Sequence, residues 1–525
     1  MASLAREKLR VGVVADSARQ PRWIADALAK VAASGFSELA FLSCERRERT
    51  PASNFLWRSY ELLDRTAFAR GADWSRPTDI AELVPPSRRQ PISRYDGDVL
   101  DVIFAIGDVD DASLEGMARH GVWRYCFGEE QAIRESSACV REVIEGAPVT
   151  VSGIRVRLGQ DTDDRIVYRS WSRTLPLSVA KNRGNVFAKA TGFLVRALGQ
   201  LHTDGPSWLV RKSLPAARPR KETTPSTLNV ARDLSRIGRR LARRVGQKVL
   251  AVEQWSLAFR FARFEPWTGS LDGFFRLEPP ADRFWADPFP IQRSGKNYVF
   301  FEELPFGAGK AHISVVEVDR AGRASPPVRV LERDYHLSYP FLVEDGGELY
   351  MLPETAQNGT VEIYRCIDFP YKWRLERVLL DDIYAADATL HREGRRWWMF
   401  ANCGTADFEI HDELHVFSSE TLLGEWRPHR RNPVKSDVRS ARPAGRLFRM
   451  GDGLYRPSQI CAPRYGSGIA INRVTRLDAA EFCEETERCI VPVPGSSILG
   501  LHTINRSGDL SVMDAFTRRL RFGSP

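Results

Sequence analysis

The sequence predicts a multidomain protein, with an α/β domain of Rossmann type followed by an all-β five-bladed propeller. Over the first two hundred residues, apolar runs alternate with helix-like patterns; a basic segment comes next, and five copies of a strand–turn–strand pattern fill the remainder. We place the α/β domain at 1–204, a basic linker with an amphipathic helix at 205–264, and the propeller at 265–525. The 525 residues, 43% of them hydrophobic, suffice for two or three packed cores.

The α/β prediction rests on three strand-like segments and one helix. LRVGVVA at 9–15, ELAFLSC at 38–44 and DVLDVIFAIG at 98–107 are apolar enough to form buried parallel strands. Between the first two, PRWIADALAKVAASG has the pattern of a helix that ends at glycine. The sequence VADSARQPRW follows the first strand, so the GxGxxG fingerprint is absent and no dinucleotide cofactor is expected.

In the order of its segments, this region resembles the formyltransferase fold that handles 10-formyltetrahydrofolate. The segments that carry the resemblance are VIFAIGDVDDASLEGMARHGVWRYCFGE and EGAPVTVSGIRVRLGQDTDDRIVYRS. The family uses an Asn-x-His pair and a later Asp to polarise the formyl group and move protons. The resemblance implies a folate cofactor only if this domain is active.

The acid–base residues of that family are not retained here. Arg124 and Cys126 occupy the Asn and His positions, and Thr162, Asp163 and Asp164 compete for the Asp in a turn that lacks the family's glycine. An arginine is not a general base near neutral pH, and a cysteine does not reproduce imidazole geometry. We therefore expect a catalytically degenerate domain that serves as a scaffold or binding module.

The net charge of +9 is concentrated in one segment. Twelve Lys or Arg lie between Arg211 and Lys248, against Glu222 and Asp233, so the rest of the chain is close to neutral. At 229–252, apolar residues recur at steps of three or four with arginines on the other faces. This pattern predicts a helix that either lies on an anionic membrane surface or packs between domains with its arginines solvated.

Other global features suggest a cytoplasmic protein, peripheral to a membrane at most. The eight cysteines are scattered without CxxC spacing, as reduced thiols would be. No apolar run approaches the roughly 20 residues of a membrane-spanning helix, and the N-terminus has no separate apolar signal region. Nucleic-acid binding is not expected, because the basic segment lacks interleaved aromatic residues.

The propeller prediction rests on five aligned copies spaced roughly 50 residues apart, a length typical of propeller blades. Each copy has an apolar strand, a turn containing glycine and a second strand that is usually aromatic. The copies are FWADPFPIQRSGKNYVFFEE, LSYPFLVEDGGELYMLPET, AADATLHREGRRWWMFAN, ARPAGRLFRMGDGLYRPSQ and LHTINRSGDLSVMDAF. Because the innermost strands face one axis, polar groups at the same point of successive copies should converge.

Three carboxylates are the candidate catalytic groups. Asp287 stands between apolar neighbours in FWADPFP, Asp387 occupies the same place in the third copy, and Glu354 lies one strand further out in the second. A cluster of carboxylates raises at least one pKa, which lets one group act as acid and another as base. The alternative is that these acids only cap turns and bind backbone amides. The further candidate substrate-binding residues are Trp285, His336, Tyr339, Tyr384, Arg456, Gln459, Tyr465 and His502.

The ADPF motif in a five-bladed context resembles the arabinanase, β-xylosidase and fructosyltransferase superfamily, in which a carboxylate pair flanks a glycosidic bond. In arabinanase-type enzymes the general acid is a glutamate of a later blade, whereas Glu354 belongs to the second. A longer series resembles the N-terminal propeller of the plant glucosamine inositolphosphorylceramide transferases. It comprises FWADPF, DYHLSYPFLVEDGGELYMLPET, DFPYKWRLERVLL, GEWRPHRRNPV, SARPAGRLF and GLYRPSQICAPRYG.

The second resemblance implies a glycan or glycolipid context. Sugar transfer in that family is attributed to a separate C-terminal domain, so the reaction of the propeller itself stays open. We expect a carbohydrate-active protein whose propeller cleaves or transfers a glycosyl group, with Asp287 as base or nucleophile, Glu354 as acid and Asp387 orienting the sugar or tuning the acid. Two alternatives are a glycan-binding scaffold without turnover and formyl transfer to an amino sugar. No metal cluster is evident, although Asp and His near the axis could hold calcium.

Overall fold

The structure is a computed structural model that describes residues 7–44, 55–68, 73–128, 138–159, 164–211, 213–216, 227–262, 271–404 and 411–520. Thr162 and Asp163 lie outside these ranges. The chain divides into two compact units, residues 1–242 and 243–525. None of the helices in the described ranges combines the length and apolar composition that a bilayer crossing requires.

The first unit is built around a mixed sheet. Its strands are β1 (Leu9–Ala15), β2 (Arg19–Pro21), β3 (Ser37–Cys44), β4 (Pro77–Asp79), β5 (Val102–Ile106), β6 (Val122–Phe127), β7 (Val149–Arg157), β8 (Arg165–Arg173) and β9 (Leu214–Pro215). Its helices are α1 (Arg22–Ala32), α2 (Phe55–Phe68), α3 (Val140–Glu145), α4 (Val179–Ala190), α5 (Phe193–Asp204) and α6 (Ser207–Arg211), and α7 (Thr227–Leu250) runs across the division between the units.

The seven-stranded sheet has the order β3-β1-β5-β6-β7-β8-β9. The first four strands are parallel and the remaining pairs antiparallel. The three strands and the helix expected from the sequence are confirmed, with the third strand shorter than its apolar run. The antiparallel half was not anticipated, so the sheet is mixed, and a formyltransferase-like fold remains a prediction.

The second unit contains twenty-two strands in the described ranges. They are β10 (Ala251–Phe261), β11 (Phe275–Leu277), β12 (Arg283–Arg293), β13 (Lys296–Pro305), β14 (His312–Val318), β15 (Val328–Leu331), β16 (Ser338–Asp345), β17 (Glu348–Glu354), β18 (Val361–Asp368), β19 (Lys372–Leu380), β20 (Tyr384–Glu393), β21 (Arg396–Gly404), β22 (Glu413–Ser419), β23 (Arg427–Pro428), β24 (Lys435–Ser436), β25 (Phe448–Met450), β26 (Gly453–Ile460), β27 (Gly468–Leu477), β28 (Phe482–Ile490), β29 (Ile498–Gly500), β30 (Ile504–Ser507) and β31 (Leu510–Leu520).

These strands form the five antiparallel blades of a β-propeller, as predicted. Blades one to four are β12–β15, β16–β19, β20–β24 and β25–β28, and blade five combines β29, β30 and β31 with β10 and β11. Strand β10 pairs with β31 over eleven residues, from Ala251 opposite Leu520 to Phe261 opposite Leu510. The last blade is therefore completed by an earlier part of the chain.

Strand β10 lies in the segment that the sequence analysis assigned to the linker and helix. The helical spacing of apolar residues extends to Val252, but helix α7 ends at Leu250 and the chain continues as a strand. Trp255, Leu257 and Phe259 alternate with less apolar residues, which is the two-residue period of a strand. The ladder with β31 replaces the local helical pattern from Ala251 onward.

Candidate functional site at the propeller centre

The inner strands of blades one, two and three share a two-residue irregularity. The strand register shifts between Ala286 and Phe289, between Ser338 and Phe341, and between Ala386 and Thr389. The first residue of each bulge has a positive φ, which is 50° at Asp287, 45° at Tyr339 and 53° at Asp387. Residues with a side chain rarely adopt this conformation, and bulges commonly redirect a side chain next to a functional site.

The second strand of each blade supplies one polar residue at the level of this bulge. Glu302, Glu354 and Asn402 lie opposite the residues that precede the three bulges. In blade four the backbone N–H of Gln459 donates to Arg442, and in blade five that of Asp514 donates to Thr503. The ring of second-strand residues is thus Glu302, Glu354, Asn402, Gln459 and Asp514.

Members of this ring connect neighbouring blades. A Glu354 carboxylate oxygen accepts from the backbone N–H of Asp387 at 3.2 Å, so blade two holds the bulge of blade three. An Asp514 oxygen accepts from the backbone N–H of Asp287 at 3.2 Å, so blade five holds the bulge of blade one. The side chains that crowd the centre therefore also fix the positive-φ backbone.

Arg442 joins carboxylates of two other blades. Its Nε lies 2.6 Å from Asp387 Oδ2, and its Nη2 lies 3.2 Å from Asp387 Oδ1 and 3.4 Å from Glu354 Oε2. The Gln459 amide donates to Asp387 Oδ2 at 2.7 Å. Both oxygens of Asp387 are thereby occupied. The other oxygen of Glu354, Oε1, has no hydrogen bond to any described residue.

His502 joins two further carboxylates. Its Nε2 lies 3.3 Å from Asp287 Oδ1, and its Nδ1 lies 2.7 Å from Asp514 Oδ2. The Thr503 hydroxyl also donates to Asp287 Oδ1, at 2.6 Å. Oδ2 of Asp287 makes no hydrogen bond within the described ranges. In both Asp287 and Glu354, one carboxyl oxygen contacts protein donors and the other has no hydrogen bond to a described residue.

The electrostatics of the centre favour a protonated Glu354 and a charged His502. Burial raises the pKa of Glu354 to about 8, with the Asp387 charge adding to the effect. Burial likewise raises the pKa of Asp287 to about 7, although the nearby His502 opposes the shift. Burial alone would lower the pKa of His502, but Asp514 and Asp287 outweigh it and raise that pKa to about 9.

A second pair of a histidine and a carboxylate, His336 and Glu302, lies at the same centre. His336 Nε2 is 3.1 Å from Glu302 Oε1, and its Nδ1 accepts from the backbone N–H of Ala311 at 3.2 Å. Burial opposes a charge on His336, but the bond to Glu302 raises its pKa to about 8, with Glu354 and Asp287 contributing. The predicted candidate His336 is therefore held as a proton donor toward Glu302.

Aromatic rings enclose these groups. The Tyr465 ring lies 5.0 Å from the Arg442 guanidinium and 5.1 Å from the His502 ring, and the Trp255 ring lies 4.1 Å from His502. Tyr384 is half-buried, and burial together with Glu354 raises its pKa. The sequence candidates that meet at the centre are Asp287, His336, Glu354, Tyr384, Asp387, Gln459, Tyr465 and His502.

Three sequence candidates have other positions. Trp285 packs in an apolar core with Phe301, and its indole N–H donates to Glu303 at 3.3 Å. The Tyr339 hydroxyl is buried against Thr389 and the backbone N–H of Gly445. Arg456 is fully buried in an ion pair with Glu484 at 2.6 Å. In the structure these three side chains are core elements, so none of them offers a face or charge to a sugar.

Asp287, His502 and Asp514 bring one ligand atom each within 4.8 Å of one another, a spacing that a metal ion could use. The contacts of these three side chains do not favour a bound metal ion. Asp514 Oδ1 accepts from the backbone N–H groups of His502 and Thr503, and Oδ2 faces Asp287 N–H and the imidazole. An imidazole with a raised pKa repels a cation. We assign these residues no metal role.

Arg124 and Cys126, which the sequence comparison set against the Asn and His of formyltransferases, are buried in the first unit. The Arg124 guanidinium is buried and donates to Asp111 and to the carbonyls of Gly107 and Val109. Burial raises the pKa of Cys126 to about 12, so its thiol is neutral near pH 7. Asp164, the described member of the competing turn residues, pairs with Arg155.

Sequence reasoning missed Arg442, Asp514, Glu302 and Trp255. Arg442-Pro443 stands in the fourth copy where Asp287-Pro288 stands in the first, so the repeat alignment contained the signal for Arg442. Glu302 and Asp514 match Glu354 at the same point of the second strand. Trp255 could not be predicted as a site residue, because strand β10 lies in the segment predicted to be linker and helix.

The fold and centre define a five-bladed β-propeller with a buried carboxylate, histidine and arginine cluster. Residues 278–493 match the family model described as glucosamine inositolphosphorylceramide transferase 1, N-terminal. The protein of that name from Arabidopsis thaliana is 32% identical over 210 residues, and that from Oryza sativa subsp. japonica is 33% identical over 205. Each alignment covers 38% of this chain and 27% of the plant protein, so the chain spans about a quarter of these relatives.

Two carbohydrate hydrolases are among the solved structures to which the chain is similar. A family 117 glycoside hydrolase from Zobellia galactanivorans is 10% identical with a TM-score of 0.34, covering 51% of this chain and 91% of the other. An exo-1,5-α-L-arabinanase from a bovine ruminal metagenomic library is 11% identical with a TM-score of 0.31, covering 41% and 86%.

Proposed function

We propose that the propeller binds a sugar or sugar conjugate at its centre and cleaves or transfers a glycosyl group, with Glu354 as the general acid. The proposal rests on the hydrogen bonding and the protonation of the Glu354 carboxyl group. Oε2 is held by Arg442 and by the backbone N–H of Asp387, while Oε1 has no hydrogen bond to a described residue. With its pKa raised to about 8, the carboxyl keeps its proton at neutral pH.

Asp287 is the proposed base or nucleophile. The Thr503 hydroxyl and His502 hold Oδ1, and Oδ2 is left without a hydrogen bond to a described residue. A charged His502 beside it favours the carboxylate form. Because both oxygens of Asp387 are bound by Arg442 and Gln459, we assign it the tuning of Glu354 rather than contact with the sugar.

The similarity to the plant glucosamine inositolphosphorylceramide transferases suggests which conjugates to test. Suitable probes are glucosamine conjugates, inositol phosphate glycosides and a general oligosaccharide panel. The full chain is incubated with each probe, product is followed over time, and Asp287→Asn and Glu354→Gln are compared with wild type. The control is Glu348→Gln, whose carboxylate lies outside the centre and is half exposed.

We expect turnover that falls by roughly 10²–10⁴-fold in Glu354→Gln, is lost in Asp287→Asn and is retained in the control. Binding without turnover in wild type would instead support a glycan-binding scaffold. That second candidate is favoured by the low exposure of Asp287 and Asp387, at 3% and 1%. Failure of wild type to bind any probe would contradict both.

Formyl transfer to an amino sugar is the weakest candidate. Arg124 is committed to three acceptors and the Cys126 thiol is neutral, so neither position supplies a proton carrier. Equilibrium dialysis of the full chain against 10-formyltetrahydrofolate tests it. We expect no retention of 10-formyltetrahydrofolate. Saturable retention would instead support formyl transfer with this cofactor.

A further inference from the structure

The apolar stripe of α7 is covered at one end and open at the other. Val230 and Ile237 are 2% and 6% exposed, and Ile237 packs against Val143 of α3 and Val179 of α4. The next three members of the stripe follow at helical spacing. They are Leu241, Val245 and Val249, which are 43%, 54% and 58% exposed.

The same helix is strongly basic. Its exposed basic residues are Arg232, Arg236, Arg239, Arg243, Arg244 and Lys248. The acid on α7 is Asp233, which pairs with Arg236 at 3.3 Å. At 100° per residue, Arg232, Arg236, Arg239 and Arg243 project opposite the stripe, whereas Arg244 and Lys248 lie nearer to it. Arg236, Arg239 and Arg240 also line a cleft with Ile144 and Glu145.

We propose that α7 docks on an anionic lipid surface, with Leu241, Val245 and Val249 entering the interface and Arg244 and Lys248, which lie nearest to them, facing the headgroups. The basic residues and the apolar stripe together indicate a lipid partner. Arginines alone would bind any polyanion, whereas an exposed apolar stripe on a basic helix fits the boundary between headgroups and acyl chains. Helix α2, which packs in the same cluster through Trp57 and Tyr60, exposes Phe55, Leu62 and Leu63 as well. The proposal is independent of the sugar chemistry.

Flotation of the full chain with lipid vesicles tests the proposal. Phosphatidylcholine vesicles are compared with vesicles that also contain phosphatidylserine, at low and high salt. We expect binding to the mixed vesicles that weakens with salt, because screening reduces the attraction of exposed charges. Equal binding to both vesicle types, or none to either, would overturn the proposal.

Two double variants separate the charge from the stripe. Arg244→Ala with Lys248→Ala should weaken binding to the anionic vesicles about 30-fold, at roughly fivefold per basic residue. Leu241→Ser with Val245→Ser should also weaken binding while leaving the charge unchanged. The matched control is Arg374→Ala with Arg427→Ala, which removes the same charge from exposed blade positions.

The variants also decide between partners. Equal loss in the control pair would show that only net charge matters and would overturn docking by α7. Unchanged binding in the serine variant, together with salt-sensitive binding to heparin or RNA, would assign α7 to a soluble polyanion and also overturn it. Each variant is checked by circular dichroism, so that a folding defect is distinguished from a binding defect.

Discussion

Nε2 of His502 lies 3.3 Å from Oδ1 of Asp287, although the two residues are 215 positions apart in the sequence. The second nitrogen of the ring lies 2.7 Å from Asp514, so the imidazole sits between two carboxylates in a site that is almost fully buried. His502 lies between β29 and β30 of blade five and contacts Asp287 on strand β12 of blade one. It is therefore both a closing element of the propeller and the charge that faces the proposed base.

Removing the imidazole should destabilise the propeller. We expect His502→Gln to lower the free energy of unfolding by about 3–5 kcal/mol, because it leaves buried carboxylates without their cationic partner. Denaturant titration of wild type, His502→Gln, Asp514→Asn and the double variant measures the coupling. Additive effects of the two single changes would show that the pair is not an energetic unit.

The stability of the chain should depend on pH through Glu354 in an unusual direction. The pKa of Glu354 is raised from 4.5 to about 8, so the folded state holds a proton that the unfolded state has released. The stabilising effect of that proton is complete below about pH 4.5 and is lost as pH rises toward about 8.

Over that window, the difference in unfolding free energy between wild type and Glu354→Gln should fall by about 1.4 kcal/mol per pH unit. Denaturant titrations of both proteins at several pH values give this difference, in which the groups that titrate alike in the two proteins cancel. A difference that is flat, or that rises with pH, would mean that Glu354 is ionised in the folded protein.

The positive φ of Asp287 predicts an order among its substitutions. Asparagine tolerates the left-handed region, whereas alanine is strained there by about 1 kcal/mol. We therefore expect Asp287→Asn to unfold at higher denaturant than Asp287→Ala, although both lose the charge. The same comparison at Asp382, a surface position with φ of 52°, controls for the backbone effect alone. Equal stability of the two variants would argue against a strained bulge.

Closure by β10 predicts where the propeller can be cut. A fragment of residues 243–525 retains the β10–β31 ladder, whereas one of residues 265–525 leaves β31 with an open edge. We expect the longer fragment to unfold cooperatively and the shorter one to aggregate. Thermal unfolding followed by circular dichroism distinguishes the two, and a well-folded short fragment would show that β10 is dispensable.

Periodicity and repeats predicted much of this fold, because both follow from local side-chain patterns. The apolar run LRVGVVA and the five copies that include FWADPFP are visible without any tertiary information. The antiparallel half of the first sheet and the pairing of Ala251 with Leu520 depend on distant segments, which local patterns do not encode.

The site was predicted in part for the same reason. Repeat position identified Asp287 and Asp387, but it could not show whether a neighbouring ring points to the centre or into the core, as the burial of Trp285 illustrates. The pairing of Arg456 on β26 with Glu484 on β28 likewise brings distant strands together and has no sequence signature.

The central claim is that Glu354 carries a proton at neutral pH, and infrared spectroscopy tests it without any substrate. The spectrum of wild type minus that of Glu354→Gln is recorded at pH 7, with Glu348→Gln as control. We predict a protonated carboxyl band that is absent in Glu354→Gln and that disappears from wild type as pH rises through about 8. A carboxylate signal for Glu354 at pH 7 would contradict the account.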